Sequence, residues 1–263
     1  MSDMNTPHAP APSTSTPSDA PLMSTPETLS GIFFEPGRTF DALRWRPRFL
    51  IAAIIIIVAA SAYTFLLYQR VGFEQMVRQV IENSPRTSEM PAEQREQMIA
   101  MQTGTVFKAL AYVSPLIGVA IFLAVGAALY LLGAMAMGKG ISYKQALSVY
   151  VYSSLPPAVL IMIANILLLF LKSPESLDPE SAQRGLVHAN LGILVDGAAH
   201  PVLATALGAF DIFAFYGLFL AAIGLRKVAR LSSGSAWGIV LAIWFLGVLI
   251  RLALAAFSGS PMA

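Results

Sequence analysis

Five apolar runs, at residues 49–68, 113–137, 147–171, 203–225 and 236–257, constrain this chain more than any other feature. Each is close to the roughly 20 residues with which an α-helix crosses about 30 Å of hydrocarbon. Segments such as IAAIIIIVAA (51–60) are apolar on every side. A membrane β-barrel would instead need strands of about ten residues that alternate apolar and polar positions, so the pattern predicts helices. Charged residues make up only 12% of the 263 residues, hydrophobic ones 56%, and the mean hydropathy is +0.66. A soluble domain carries about 25% charged residues, so lipid must be part of the solvent. The predicted fold class is all-α: a polytopic membrane protein, a bundle of five transmembrane helices with a disordered N-terminal tail.

Residues 1–30 hold six prolines (Pro7, Pro10, Pro12, Pro17, Pro21 and Pro26) among Ser, Thr and Ala. That composition buries too little apolar surface to offset ordering entropy, which predicts a disordered tail on the cytoplasmic side. Residues 31–257 form the membrane domain, and 258–263 a short C-terminal tail. The first basic residue is Arg38, so a cleavable signal peptide is not expected. In the lead-in GIFFEPGRTFDALRWRPRFL (31–50), Ile32, Phe33, Phe40, Leu43 and Trp45 interleave with Arg38, Arg44, Arg46 and Arg48. The mixture fits either a segment lying at the headgroup boundary or a short helix packed on the spans.

Short links join the second run to the third and the fourth to the fifth, so each pair is expected to be an antiparallel hairpin. With the amino terminus inside, one face holds Arg38, Arg44, Arg46, Arg48, Lys139, Lys144, Arg226, Lys227 and Arg230 in short segments. The other holds Arg70, Arg78, Arg86, Arg95, Lys108, Lys172 and Arg184 across longer loops. The density of positive charge predicts a cytoplasmic N-terminus and a periplasmic C-terminus. Within the first long loop, Phe73, Met76, Val77, Val80 and Ile81 have helical spacing, with Glu74/Arg78 and Arg78/Glu82 as i,i+4 pairs. Asn83, Ser84 and Pro85 should end that helix, and a second should start near Pro91. Met98 and Met101 read as packing.

Net charge is +2, with basic residues scattered rather than gathered in a stripe, which gives no reason to expect nucleic acid as a partner. Cysteine is absent. No phosphate-cradling glycine motif occurs, and no span serine has a histidine to act as base, so no catalytic residue and no cofactor is expected. His188, Asp196 and His200 share a loop, but without an HExxH pair or a fourth ligand they make a poor zinc site, and no metal is expected.

Two charges lie inside predicted spans, Asp211 and Arg251. Unpaired, each costs about 2.5–3.5 kcal/mol on the milder insertion scale. Counted from the shared turn, both stand about 21–23 Å up their helices if those are continuous, so an ion pair is geometrically available. Asn165, on the third run, reaches a similar depth. The three are expected to form an intramembrane polar cluster, either a structural lock or a transport path. Pro156 and Pro157 remove backbone donors from the third run, which should kink or break there. Ala120, Ala124 and Ala128, and likewise Gly217 and Ala221, allow close helix approach.

Three segments resemble the Yip domain family, named for proteins that interact with Ypt/Rab GTPases. These are IFFEPGRTFDAL (32–43), GKGISYKQALSVYVYSSLPPAVL (138–160) and LGAFDIFAFYGLFLAAIGLRKVAR (207–230). The resemblance implies a five-helix bundle with a cytoplasmic N-terminus, no catalytic residues and no obligatory cofactor. It assigns structural roles to Pro36, Gly140, Lys144, Pro156, Asp211 and Gly224. The chain is most similar in style to the prokaryotic branch, which places it in a bacterial inner membrane, where Rab partners do not exist. The expected function is a non-enzymatic, membrane-organising or protein-interaction role, and the rival is a small transporter or channel using the intramembrane polar residues. Expected partners are the lipid bilayer, other membrane or cytoplasmic proteins, and further copies of the chain.

Overall fold

The structure is a computed structural model that describes residues 23–83, 87, 89–173, 176–177, 182–183 and 185–262. Most of the predicted tail, together with Ser84, Pro85, Arg86 and Arg184, lies outside them. The tail nevertheless ends earlier than its composition predicts, because helix α1 (Thr25–Phe34) starts inside it. Ser24 and Glu27 form a capping box: the Glu27 carboxylate accepts from the Ser24 N–H at 2.6 Å, and the Ser24 hydroxyl accepts from the Glu27 N–H at 3.4 Å. These bonds hold the Glu27 carboxyl below its ordinary pKa, and Pro26 suits a first turn, where its missing N–H costs nothing.

Helix α2 (Pro36–Trp45) follows after a break at Glu35. Its Thr39, Phe40, Ala42 and Leu43 are buried, as are Thr28 and Ile32 of α1. Of the two readings open for the lead-in, packed helices are the one adopted. Next come α3 (Leu50–Leu67), a π-helical turn at Tyr68–Gly72, and α4 (Phe73–Asn83). Helix α5 (Ala92–Gln102) starts directly after Pro91 and is tied to α4 by the Arg78–Glu96 ion pair at 2.7 Å. Arg78 also reaches Glu82 at 3.6 Å.

Helix α6 (Thr105–Ala136) and helix α7 (Tyr143–Leu171) form the first predicted hairpin. A second capping box, Ser142 with Gln145, starts α7. Pro156 and Pro157 lie within α7, but the helix runs through them without a break. The Pro157 ring packs against Gly217, and the hydroxyls of Ser153 and Ser154 donate to the Tyr150 carbonyl.

Among the described residues, four helical stretches are long and apolar enough to cross a membrane: Leu50–Glu82, Thr105–Ala136, Tyr143–Leu171 and Ser233–Ser258, the last being α10. The predicted fourth span, 203–225, is not a single helix. It divides into α8 (Pro201–Gly208) and α9 (Ile212–Val228), separated at Ala209–Asp211. Gly208 and Asp211 are poor in a helix interior, whereas Asp is among the best residues at a helix start. A distant segment completes the break: Asn190 forms an antiparallel bridge with Asp211, and the Ile212 N–H donates to the Ala189 carbonyl at 3.2 Å.

Helix α9 packs on α7, α2 and α10, while α8 packs on α10. The Met262 N–H donates to the Thr205 hydroxyl at 2.8 Å, so α8 lies beside the C-terminal end of α10. The turn after Val228 leads into the other end of α10. The broken element therefore accompanies α10 along its length. Only 22% of each of the four apolar windows is buried inside the protein. Rows such as Leu116, Ile117, Ile121 and Phe122 on α6, and Phe245, Leu246, Leu249 and Ile250 on α10, face outward. Water-soluble monomers rarely expose such continuous apolar faces; in a bilayer those faces meet lipid.

Of the small residues expected to allow close helix approach, Ala120 is exposed, Ala124 and Ala128 are half-buried, and Ala221 is fully buried. A Cβ on Gly224 would fall 2.7 Å from Val149 and 2.9 Å from the Phe40 ring, where α2, α7 and α9 meet. Gly224→Ala should therefore lower the stability of the detergent-solubilised protein by about 1–3 kcal/mol, the usual cost of overpacking. Gly247→Ala, with nothing within 4 Å of the added methyl, should be neutral or slightly stabilising; thermal unfolding of the two variants checks the difference.

Candidate functional site

The break between α8 and α9 opens on a cavity of about 500 Å³ whose walls include Ile161, Asn190, Ala209, Asp211, Arg251 and Met262. Backbone groups freed where a helix breaks need new hydrogen-bond partners where they are buried. Here several of these groups find partners. Asp211 Oδ1 accepts from the N–H groups of Phe213 at 2.8 Å and Ala214 at 3.0 Å, capping α9. Asn190, besides bridging to Asp211, uses its side-chain oxygen to accept from the Gly192 N–H at 3.0 Å, starting the short 3-10 helix Leu191–Leu194.

Asp211 and Arg251 reach the same cavity, but no ion pair joins them. The depth count assumes that 203–225 is one continuous helix. With the helix broken, Asp211 is a capping residue engaged by backbone N–H groups rather than a mid-helix charge seeking a cation. Arg251, partly buried on α10, makes no hydrogen bond, ion pair or ring contact among the described residues.

Asn165 plays a third part. Its side chain is 1% exposed, and its amide oxygen accepts from the N–H groups of Leu186 at 2.7 Å and Val187 at 2.8 Å. It thus anchors the segment at 185–188 whose Gly185, Val187 and His188 form part of the cavity wall, without lining the cavity itself. Sequence reasoning located Asn165 but not its bond partners, and it missed Asn190; nothing local marks a loop residue that will pair with a helix break about 20 positions later. Among the described residues no group of three His, Asp or Glu converges to hold a metal. His188 lies near the Leu186 carbonyl, while Asp196 accepts from Ala198 and Ala199.

At the opposite end, α1 and α2 are fixed to the bundle. Lys227 Nζ lies 2.6 Å from Asp41, and Gln145 Nε2 donates to the Arg44 carbonyl at 2.9 Å. These ties connect the lead-in to α9 and to the start of α7, and neither pairing is readable from local spacing. Phe34, 85% exposed, and Trp45, 53% exposed, stand out from this platform. Of the positions singled out by resemblance, Pro36 opens α2, Gly224 admits Phe40, and Asp211 caps α9. Gly140 has open space around it, so no close contact accounts for it.

A polytopic helical membrane protein with a docked amphipathic lead-in and one broken helix is the class these features define. The chain belongs to the Yip1 domain family, whose model matches residues 30–255, from the middle of α1 almost to the end of α10. It is similar to membrane protein YknW of Bacillus subtilis (strain 168), 28% identical over 239 residues that cover 88% of this chain and 90% of that protein. No solved structure matches it.

The capping geometry predicts that Asp211→Ala costs about 0.5–2 kcal/mol, the value of an N-cap, and that Asp211→Ser retains most of the stability. In a double-mutant cycle with Arg251→Ala, unfolding in detergent should give a coupling below about 1 kcal/mol, rather than the 3–5 kcal/mol lost when a buried ion pair is broken.

Proposed function

We propose that this protein is a non-enzymatic organiser of the bacterial inner membrane, which engages another protein through the α1–α2 platform. The observation that carries this reading is the contrast within the platform itself. Phe40 and Leu43 lock it to the bundle with almost no exposure, while Phe34 and Trp45 project from it. A rigid surface with exposed aromatics loses little conformational entropy on binding, and aromatic side chains are frequent interface anchors. The family match covers the second half of α1 and all of α2, which supports the platform's being part of the working domain.

In this reading the chain crosses the bilayer five times, the pair α8–α9 making a broken fourth crossing. Supporting it, Thr205 of α8 bonds beside the C-terminal end of α10, and Lys227 of α9 bonds to the platform at the other end. The clustered cations of the platform and of the two short turns then face the cytoplasm, and the C-terminus faces the periplasm. Asp211, Asn165, Pro156 and Pro157 serve the architecture.

A second reading is favoured by one observation: a cavity at a helix break that contains an arginine with no partner among the described residues. Broken helices with polar residues form binding sites in transporters, so a small transporter or channel would use Arg251 and Asp211 there, behind the wall that Asn165 secures. Liposomes holding the purified protein decide this: substrate-dependent flux abolished by Arg251→Gln favours transport, and no flux favours the organiser.

For the leading reading, a photo-crosslinking amino acid replaces Phe34 in native membranes. A discrete protein adduct, absent when the same probe stands at the lipid-facing Phe245, is expected. An adduct of twice the chain's mass identifies self-association as the platform's role, and exclusive labelling of lipid contradicts protein docking.

A further inference from the structure

We propose that a second cavity, at the platform end of the bundle, holds a phosphate group, supplied either by the headgroup of an anionic lipid or by a soluble phosphate compound. The cavity measures about 350 Å³ and lies where α2, the turn between α6 and α7, and the end of α9 meet. Three cations line it, Arg44, Lys139 and Arg230, and among the described residues no carboxylate does. The Asp41 carboxylate, which also acts on Arg44, is engaged by Lys227 at 2.6 Å. Among the described residues neither the Lys139 nor the Arg230 side chain has a hydrogen-bond or ion-pair partner, and the Arg44 guanidinium only stacks over Trp45, 5.0 Å from its ring centre.

Like charges gathered together repel, an effect that Asp41 offsets only in part at Arg44. Burial, and then the neighbouring Arg230 charge, lower the Arg44 pKa from its ordinary value. Backbone conformation points the same way. Helix α9 ends at Val228, and two residues later Arg230 has φ of +52°. This left-handed position after a helix end is one that glycine adopts without penalty, and an L-residue with a Cβ is strained there. Strain of this kind is retained where the side chain has work to do. An arginine held here, against both backbone preference and charge repulsion, is explained by an anion between the guanidinium groups.

The groups suit phosphate. Two guanidinium forks bind phosphate oxygens bidentately, and a lysine adds a point charge. Gly140 leaves open space on the cavity wall, and the Arg44 carbonyl is held by Gln145, which fixes that residue's backbone in the site. Basic pockets between spans on the cytoplasmic side are well placed for anionic headgroups. The site shares Trp45 with the docking platform but not Phe34, so crosslinking from Phe34 and phosphate binding can each fail alone.

Trp45 lines the cavity and is one of three tryptophans in the chain, so it supplies a reporter. Full-length protein carrying Trp237→Phe and Trp244→Phe is placed in phosphatidylcholine nanodiscs, and Trp45 emission is followed as the phosphatidylglycerol fraction is raised or inorganic phosphate is added. A saturable change is expected. Arg44→Gln and Lys139→Gln should each weaken it about five-fold, in line with the contribution of one cation near an anionic surface, and both together with Arg230→Gly by about a hundred-fold. Arg230→Gly also relieves the backbone strain, so its thermal stability should hold or rise while affinity falls, which separates lost binding from lost folding. Saturation by inorganic phosphate in pure phosphatidylcholine identifies a soluble phosphate compound, and a response to phosphatidylglycerol alone identifies the lipid. A triple variant that responds like the parent, or a response only to polyglutamate, overturns the proposal.

Discussion

Hydrocarbon offers no hydrogen bonds, so every backbone N–H and C=O within it must be satisfied by the protein. Most of this chain meets that demand with helices; on the proposed reading that α8 and α9 make a fourth crossing, the place where it does not is the break between them. Between Gly208 and Ile212 the helix stops, and the freed groups are covered from elsewhere: the Asp211 side chain caps α9, and the 189–190 segment pairs with the opened backbone. That segment arrives in position because the Asn165 amide, buried on α7, holds the chain at 186–187. Three residues far apart in sequence thus make one irregular feature permissible, and a cavity is its by-product.

The two ends of the bundle differ in kind. At one end α1 and α2 are drawn onto α7 and α9 by Phe40, by the small size of Gly224, and by polar ties to Lys227 and Gln145. This end is basic and presents aromatics outward. At the other, connecting segments fold over the helix ends and a second small core forms around Tyr63, Leu67, Met76 and Leu169. The Tyr63 hydroxyl donates to the Ala182 carbonyl at 2.6 Å, and Arg70 donates to the Lys172 carbonyl at 2.9 Å beyond the end of α7. Membership of the Yip1 domain family embraces both ends, so neither is an appendage.

What is legible in the sequence depends on whether its cause is local. Apolar length and the absence of charge are local properties, and four of the five predicted spans stand as helices of sufficient length. The Ser24–Glu27 capping box is equally local, but the proline-rich composition around it masks the start of α1. Asp211 shows the limit most clearly. Counting residues from the turn brings it and Arg251 to one cavity, yet the count assumes a continuous helix and so predicts an ion pair. The break is stabilised by Ala189 and Asn190, whose pairing no periodicity reveals. Convergence of Arg44, Lys139 and Arg230 is likewise hidden, since in the sequence each is only part of a charge density on one side of the membrane.

The proposed fourth crossing by α8 and α9 decides on which side each end of the chain lies, and the natural absence of cysteine makes it directly measurable. Single cysteines introduced by Phe34→Cys and Ser260→Cys are exposed to a membrane-impermeant maleimide in intact spheroplasts. Five crossings predict that position 260 reacts at once and position 34 only after permeabilisation. Labelling of both positions from the same side would contradict a broken helix that spans the bilayer.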